Sequence, residues 1–188
     1  MILMEARSFR EVDRSNWNDF VQLFEGKGCP SYCWCMAWRS LPGDRTKASN
    51  AVRKRAMKRL VSAGMPVGIL AYEGKQPVAW CSISPRATYR PLGGTVYAGV
   101  AEEDVWSLVC FFVPRSLRQQ GVMTQLLQAA LKTAQKKGAR VVEAYPVDPD
   151  SPSYRFMGRL SSFKKAGFTE TGRAGKRRHV MHKVLQRK

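Results

Sequence analysis

Residues 105–113, VWSLVCFFV, form a nearly unbroken apolar run that ends at Pro114. Its length and its Val, Phe and Trp content suit a strand buried on both faces. Pro114 lacks a backbone donor, so regular strand pairing stops there. A polar loop follows, RSLRQQG, and then apolar residues at helix spacing: Val122, Leu126, Leu127, Ala130, Leu131 and Ala134. The helix, over about 120–137, closes on Lys136, Lys137 and Gly138, with cations at its negative end and glycine in the cap region. ARVVEAYPV (139–147) then reads as another strand. A strand, a basic loop, an amphipathic helix and a second strand in this order commit the chain to a sheet with helices packed on it.

The flanking sequence fits that class. Residues 6–12 read as a first strand. Ser15 is placed to cap a helix whose apolar face is Trp17, Phe20, Val21 and Phe24. After the loop LPGDRT, a basic helix runs from about Lys47 to Ala63. Its inner face is Val52, Ala56, Met57, Leu60 and Val61, and its outer face is Arg53, Lys54, Arg55, Lys58 and Arg59. Segments 67–73 and 76–84, joined at Gly74-Lys75, have the pattern of a hairpin. Residues 85–104 read as a long excursion, 152–166 as a helix ended by Gly167, and 168–172 and 179–185 as closing strands. No internal repeat or linker divides the chain. The expected fold is α/β (α+β): one domain over 5–188, with a mixed, twisted sheet flanked by helices.

The 188 residues carry 32 Lys and Arg against 14 Asp and Glu, a formal charge of +18. A field of that sign draws anions such as nucleic acid, acidic surfaces or phosphorylated small molecules. No apolar run approaches the roughly 18 residues that span a bilayer. The first residues, MILMEARSFREV, do not have the form of a signal peptide. Five cysteines suggest no disulfide framework and point to a reducing, cytoplasmic setting.

The loop before the helix at 120–137 invites a specific chemistry. A helix N-terminus offers unpaired N–H groups and about half a positive charge. Gly121 lets an anion approach the backbone, and Arg115 and Arg118 add formal charge. That combination can cradle a phosphate. An ordinary strand–turn–helix with a solvated basic loop would read the same way.

The six residues Arg118-Gln119-Gln120-Gly121-Val122-Met123 resemble the acetyl-CoA signature of the GNAT superfamily of N-acetyltransferases, Arg/Gln-x-x-Gly-x-Gly/Ala. The preceding strand, the following helix and FKKAGF (163–168) match the family's order, so the resemblance spans essentially the whole chain. Met123 departs from it, standing where the family has Gly or Ala. The resemblance implies that backbone groups of Phe111, Phe112 and Val113 pair with the pantetheine arm. It also implies that N–H groups from Gln119 to Thr124 (Gln119, Gln120, Gly121, Val122, Met123 and Thr124) hold the pyrophosphate. The acetyl group then passes directly to an amine, with no covalent enzyme intermediate. The family's thiolate-protonating tyrosine is replaced here by Phe163. Tyr154 is the first substitute and Tyr145 the second, each against the alternative of a packed aromatic. Glu143 is a candidate base, as is a water relay from Glu102, Glu103 and Asp104.

The stretch GCPSYCWCMAWR (28–39) falls where this superfamily covers the acceptor side of its cleft. Tyr32, Trp34 and Trp38 are therefore candidate acceptor-binding residues, or core plugs beneath the loop. Cys29, Cys33 and Cys35 lack the second matched pair of a structural zinc site. His179 and His182 stand at i, i+3 on an expected strand and so face opposite sides. No metal is expected, and without C-x-x-C no redox pair either. The expected activity is acetyl-CoA-dependent N-acylation of a primary amine on a small molecule that is neutral or anionic. Alternatives are acetylation of a protein N-terminus or lysine and, in another class, a basic RNA- or ribosome-binding module. A homodimer is common in the superfamily.

Overall fold

Alternation along the hairpin strands sets the layers of the fold. In the computed structural model, which describes residues 6–39, 41 and 48–186, strands β2 (Ile69–Glu73) and β3 (Gln76–Pro85) are buried on both faces. Ile69, Ala71, Ala79, Cys81 and Ile83 face one core, and Leu70, Tyr72 and Trp80 face another. Helices therefore cover both sides. Helix α3 (Val122–Lys136) and the short α4 (Leu160–Lys165) close the first core, whereas α1 (Trp17–Glu25) and α2 (Asn50–Ser62) close the second.

The remaining strands are β1 (Ser8–Glu11), β4 (Val105–Phe112), β5 (Val141–Ala144), β6 (Thr169–Ala174) and β7 (Arg178–Val184). All seven form one sheet in the order β1-β2-β3-β4-β5-β7-β6. Only the β4–β5 pair is parallel, and α3 is its crossover. The expected mixed sheet of a single domain is the architecture found. Among the described residues, no helix is long and apolar enough to cross a membrane.

Local differences from the sequence reading have local causes. Ser15 does not cap α1. Its N–H and hydroxyl both donate to Asp13 Oδ1, and Asn16 Oδ1 accepts from the Asp13 N–H at 2.8 Å. Helix α2 begins at Asn50, where Ser49 Oγ accepts from the Val52 N–H. Most of the loop LPGDRT and the expected helix start at Lys47 lie outside the described residues. The helix expected over 152–166 shrinks to Leu160–Lys165. Tyr154 (φ 61°) and Gly158 (φ 93°) adopt left-handed backbone and leave only a 3₁₀ turn at Arg155–Met157 between them.

Candidate active site at the fork between β4 and β5

Strands β4 and β5 pair over four residues only, from Val105↔Val141 to Leu108↔Ala144. Strand β5 then ends, while β4 runs on to Phe112. Beyond Ala144 the chain turns away. Its Pro146 carbonyl accepts from the His179 N–H, and Val147 bridges Arg159 and Arg178. The β5 side of Val109–Phe112 thus faces no strand. On the other side, Ser82 pairs with Cys110 and Ile83 with Leu108, which leaves Val109 as an extra residue in β4. Such a bulge re-aims the backbone beside it and is common next to active sites.

The phosphate cradle expected from sequence lies just past the open end of β4. Gly121 is the N-cap of α3, with left-handed backbone (φ 74°), and a Cβ built on it would meet nothing within 4 Å. The first intrahelical bond there is the Gln125 N–H to the Gly121 carbonyl. The N–H groups of Val122, Met123 and Thr124 precede it and have no partner inside the helix. Gln119 is also left-handed (φ 64°). Arg118 Nε donates to the Val113 carbonyl at 3.2 Å, which ties the loop to the end of β4. Met123, the departure from the family pattern, packs its side chain against the first core. Its methyl group lies near Gly158, on the side of Phe111 and Phe163. This residue set fits a pyrophosphate: the space above Gly121 is open, and the larger Met side chain is turned into the protein.

Glu143, read from sequence as a base, is completely buried and its carboxylate is already engaged. Oε1 accepts from the Thr95 N–H at 2.8 Å and from the Tyr97 hydroxyl at 2.6 Å. Oε2 accepts from the Tyr145 hydroxyl, and Arg86 Nη1 lies 3.3 Å away. A Cβ on Gly94 would fall 2.0 Å from Oε2, so only glycine lets the backbone lie this close to the carboxylate. Tyr145 is equally buried. Burial, and then the adjacent carboxylate, push its phenol far above the ordinary tyrosine range. Glu143 and Tyr145 thus form a closed network rather than groups presented to a ligand. Glu102, expected to start a water relay, is paired with Arg86, and that bond holds its carboxyl below the usual range.

Tyr154 is placed differently. It is half-buried and packs against the buried cluster that includes Val109, Tyr145 and Met157, as Cys110 also does. Its ring centroid is 5.9 Å from that of Trp38 and 6.3 Å from that of Phe156. The three candidates from the Cys/Trp stretch separate. Trp38 joins Tyr154 at the fork. Tyr32 stands 68% exposed, and its carbonyl accepts from Arg53. Trp34 is 3% exposed, stacked on Phe24 at 5.6 Å and packed on Phe20, inside the second core. Trp34 is therefore a core residue rather than a wall of the cleft. Left-handed backbone at Trp34 and Cys35 reverses the chain, so neighbouring tryptophans go to different places. Cys35 is buried and accepts from Trp80 Nε1 at 3.3 Å, as a small packing residue would. A Trp34→Ala chain is expected to lose about 3–5 kcal/mol of stability in urea unfolding, as other large core truncations do. A loss under about 1 kcal/mol would put the ring back among surface groups.

Sequence reasoning missed Arg86, Thr95 and Tyr97, all in the excursion 85–104. The signal was there in RATYRPLGGTVY (86–97), where arginines and tyrosines alternate with turn residues. Such a pattern suits a segment laid over a buried charge rather than a solvated loop.

A split sheet with a bulged strand leading to an αL glycine at a helix N-terminus is compatible with the acetyl-CoA enzyme that the sequence resemblance implies, and comparison with known proteins shows the family. The model of the acetyltransferase (GNAT) family matches residues 30–163, and the chain belongs to that family. No match was found among curated proteins. Similar solved structures include an acetyltransferase from Thermus thermophilus, 15% identical, with TM-score 0.58 over 97% of this chain and 99% of that one. A ribosomal-protein-alanine N-acetyltransferase from Brucella melitensis is 17% identical, with TM-score 0.57 over 95% and 99%. The PaiA N-acetyltransferase from Thermoplasma acidophilum, solved with coenzyme A, is 14% identical, with TM-score 0.56 over 96% and 99%. At these identities the likeness is one of fold. The protein is an acyltransferase of the GNAT type, and acetyl-CoA is its cosubstrate.

Proposed function

We propose that this acyltransferase moves the acetyl group of acetyl-CoA to a primary amine on a small molecule bound against Trp38 and Tyr154. The observation that carries this reading is the ring contact of Trp38 with Tyr154, both packed against the buried cluster that includes Val109 of β4 where β4 has lost its β5 partner. In this reading the backbone of Phe111–Val113 aligns the pantetheine arm as an added strand. The N–H groups of Gln119–Thr124, with Arg118 nearby, hold the pyrophosphate.

The amine nitrogen attacks the thioester carbonyl. A C–N bond forms, the C–S bond breaks, the nitrogen loses a proton and the departing thiolate gains one. Tyr154 is placed to protonate the thiolate, because its ring borders the fork without being locked into the Glu143 network. Glu143 acts as a positioning residue: it fixes Tyr145 and the excursion 85–104 around the fork. Positioning of two reactants and one well-placed proton donor are both large contributions in acyl transfer.

The second reading, acetylation of a protein N-terminus, draws on the fold shared with the Brucella enzyme. A screen of small amines and of short peptides with free N-termini, read as release of CoA thiol, separates the two. Turnover of small amines, with kcat falling about 100-fold in Tyr154→Phe while the KM for acetyl-CoA holds, is the expected result. Turnover of peptides alone would replace the first reading with the second. An unchanged kcat in Tyr154→Phe would remove the tyrosine from its role. The outward basic face of α2 also permits an association with nucleic acid, but no feature at the fork calls for one.

A further inference from the structure

Trp38 is held between arginines from two distant segments. The Arg90 guanidinium lies 5.1 Å from the centroid of the Trp38 ring, and that of Arg178 lies 4.9 Å from it. Arg178 also lies 5.5 Å from the Tyr154 centroid and 5.9 Å from that of Tyr145. Arg90 fastens the loop by donating its N–H to the Trp38 carbonyl at 2.8 Å and Nη2 to the Ala37 carbonyl at 2.7 Å.

No ion pair among the described residues includes Arg90 or Arg178. Carboxylates on the neighbouring strands are engaged elsewhere. Glu143 faces Arg86 and two tyrosines, and Asp148 and Glu170 face His179.

Three donors in this group are out of water and have no acceptor among the described residues: Trp38 Nε1, Arg90 Nε and Arg178 Nη1. Buried polar atoms are nearly always paired, so three orphans gathered around one indole ring need an explanation. A water molecule could take one N–H bond but would bring no charge to two half-buried guanidiniums that have no carboxylate partner among the described residues. A carboxylate answers both needs. It brings negative charge, and its two oxygens match the planar donor fork of a guanidinium.

We propose that Arg90, Arg178 and the Trp38 indole N–H form a subsite for a carboxylate of the acceptor. This rests on the acetyltransferase reading and narrows it. Tyr154 lies against both Trp38 and Arg178, and it packs on the buried cluster that includes Val109, on the stretch of β4 where the amine must meet the thioester. One aromatic ring separates the two stations. The acceptor therefore carries its amine and its carboxylate a few bonds apart, as an amino acid does. A polyamine meets two guanidiniums instead of a counter-charge and is turned away.

The test has a turnover arm and a binding arm, both on the full chain. In the first, the common L-amino acids are compared with their carboxamides and with 2-aminoethylphosphonate as acceptors. The carboxylates are expected to show kcat/KM at least about tenfold above the other two groups. Arg178→Gln should erase that preference, and Arg178→Lys should restore part of it. The KM for acetyl-CoA should stay within about twofold throughout, since neither side chain belongs to the phosphate cradle. Retained melting temperatures guard against simple misfolding.

In the second arm the isotope-labelled indole N–H of Trp38 is followed by NMR during titration with N-acetylglycine or N-acetylglycinamide. Only the carboxylate should move it, and Arg178→Gln should abolish the shift. This arm decides the matter even where no member of the panel turns over. Carboxamides or the phosphonate matching the carboxylates, or an indole signal unmoved by N-acetylglycine, overturns the subsite and leaves the acetyltransferase reading intact. That reading fails on a different observation, the lack of any thermal stabilisation by millimolar acetyl-CoA.

Discussion

A Gly121→Asp chain should fold normally and lose acetyl-CoA. Wild-type protein at acetyl-CoA 100-fold above Kd is expected to gain roughly 2.7 kcal/mol of stability by linkage, and the variant should gain almost none. Two features make the substitution informative. A Cβ at Gly121 meets nothing within 4 Å, so no clash follows. Aspartate also tolerates left-handed backbone better than most residues, so the φ of 74° costs little. What remains is a carboxylate set against the pyrophosphate at a helix N-terminus, and like charges placed together cost several kcal/mol. Gly121→Asn has the same shape without the charge and should keep most of the affinity. If both variants bind acetyl-CoA within about twofold of wild type, the phosphates lie elsewhere.

The second large effect is on stability. Glu143→Ala should cost about 3–5 kcal/mol in chemical unfolding, because removing one partner of a buried charged network strands the others. The Arg86 guanidinium, the Thr95 N–H and the Tyr97 and Tyr145 hydroxyls would all lose their acceptor. Arg86 keeps the exposed Glu102, which softens the loss without replacing the buried acceptor. Glu143→Gln keeps the size and half the acceptor capacity and should fall between the two. A free catalytic base would behave the other way round: Glu143→Ala would retain stability and lose rate. The two measurements together therefore decide between a positioning residue and a base.

The parts of this protein that depend on periodic burial could be read from sequence. Val105–Phe112, the α3 face and the hairpin are long, strongly patterned segments, and the structure places them within a residue or two of expectation. The start of α3 at Gly121, with arginines in the loop before it, was also legible, because glycine before a helix is a local signal.

The acceptor end was not legible, and the reasons are specific. Whether Trp34 or Trp38 faces the cleft turns on two left-handed residues in between, which no pattern announces. The break at Tyr154 that shortens α4 sets a non-glycine residue in left-handed backbone, against its intrinsic preference. The bulge at Val109 arises from register with β3, which belongs to a pair of strands and not to either one. Apart from Tyr145, the partners of Glu143 come from 46 to 57 positions away, too far for spacing to reveal them.

The four-residue pairing of β4 with β5 also bears on how the catalytic architecture comes into being. Strands β1 to β4 are successive antiparallel neighbours in the sheet, with α1 and α2 in the connection between β1 and β2. Strands β5, β7 and β6 form a second antiparallel group, joined to the first only along a short seam that waits on the α3 crossover. The proposed active site therefore belongs to neither half, and separating the two halves would leave two sheets without the fork between them.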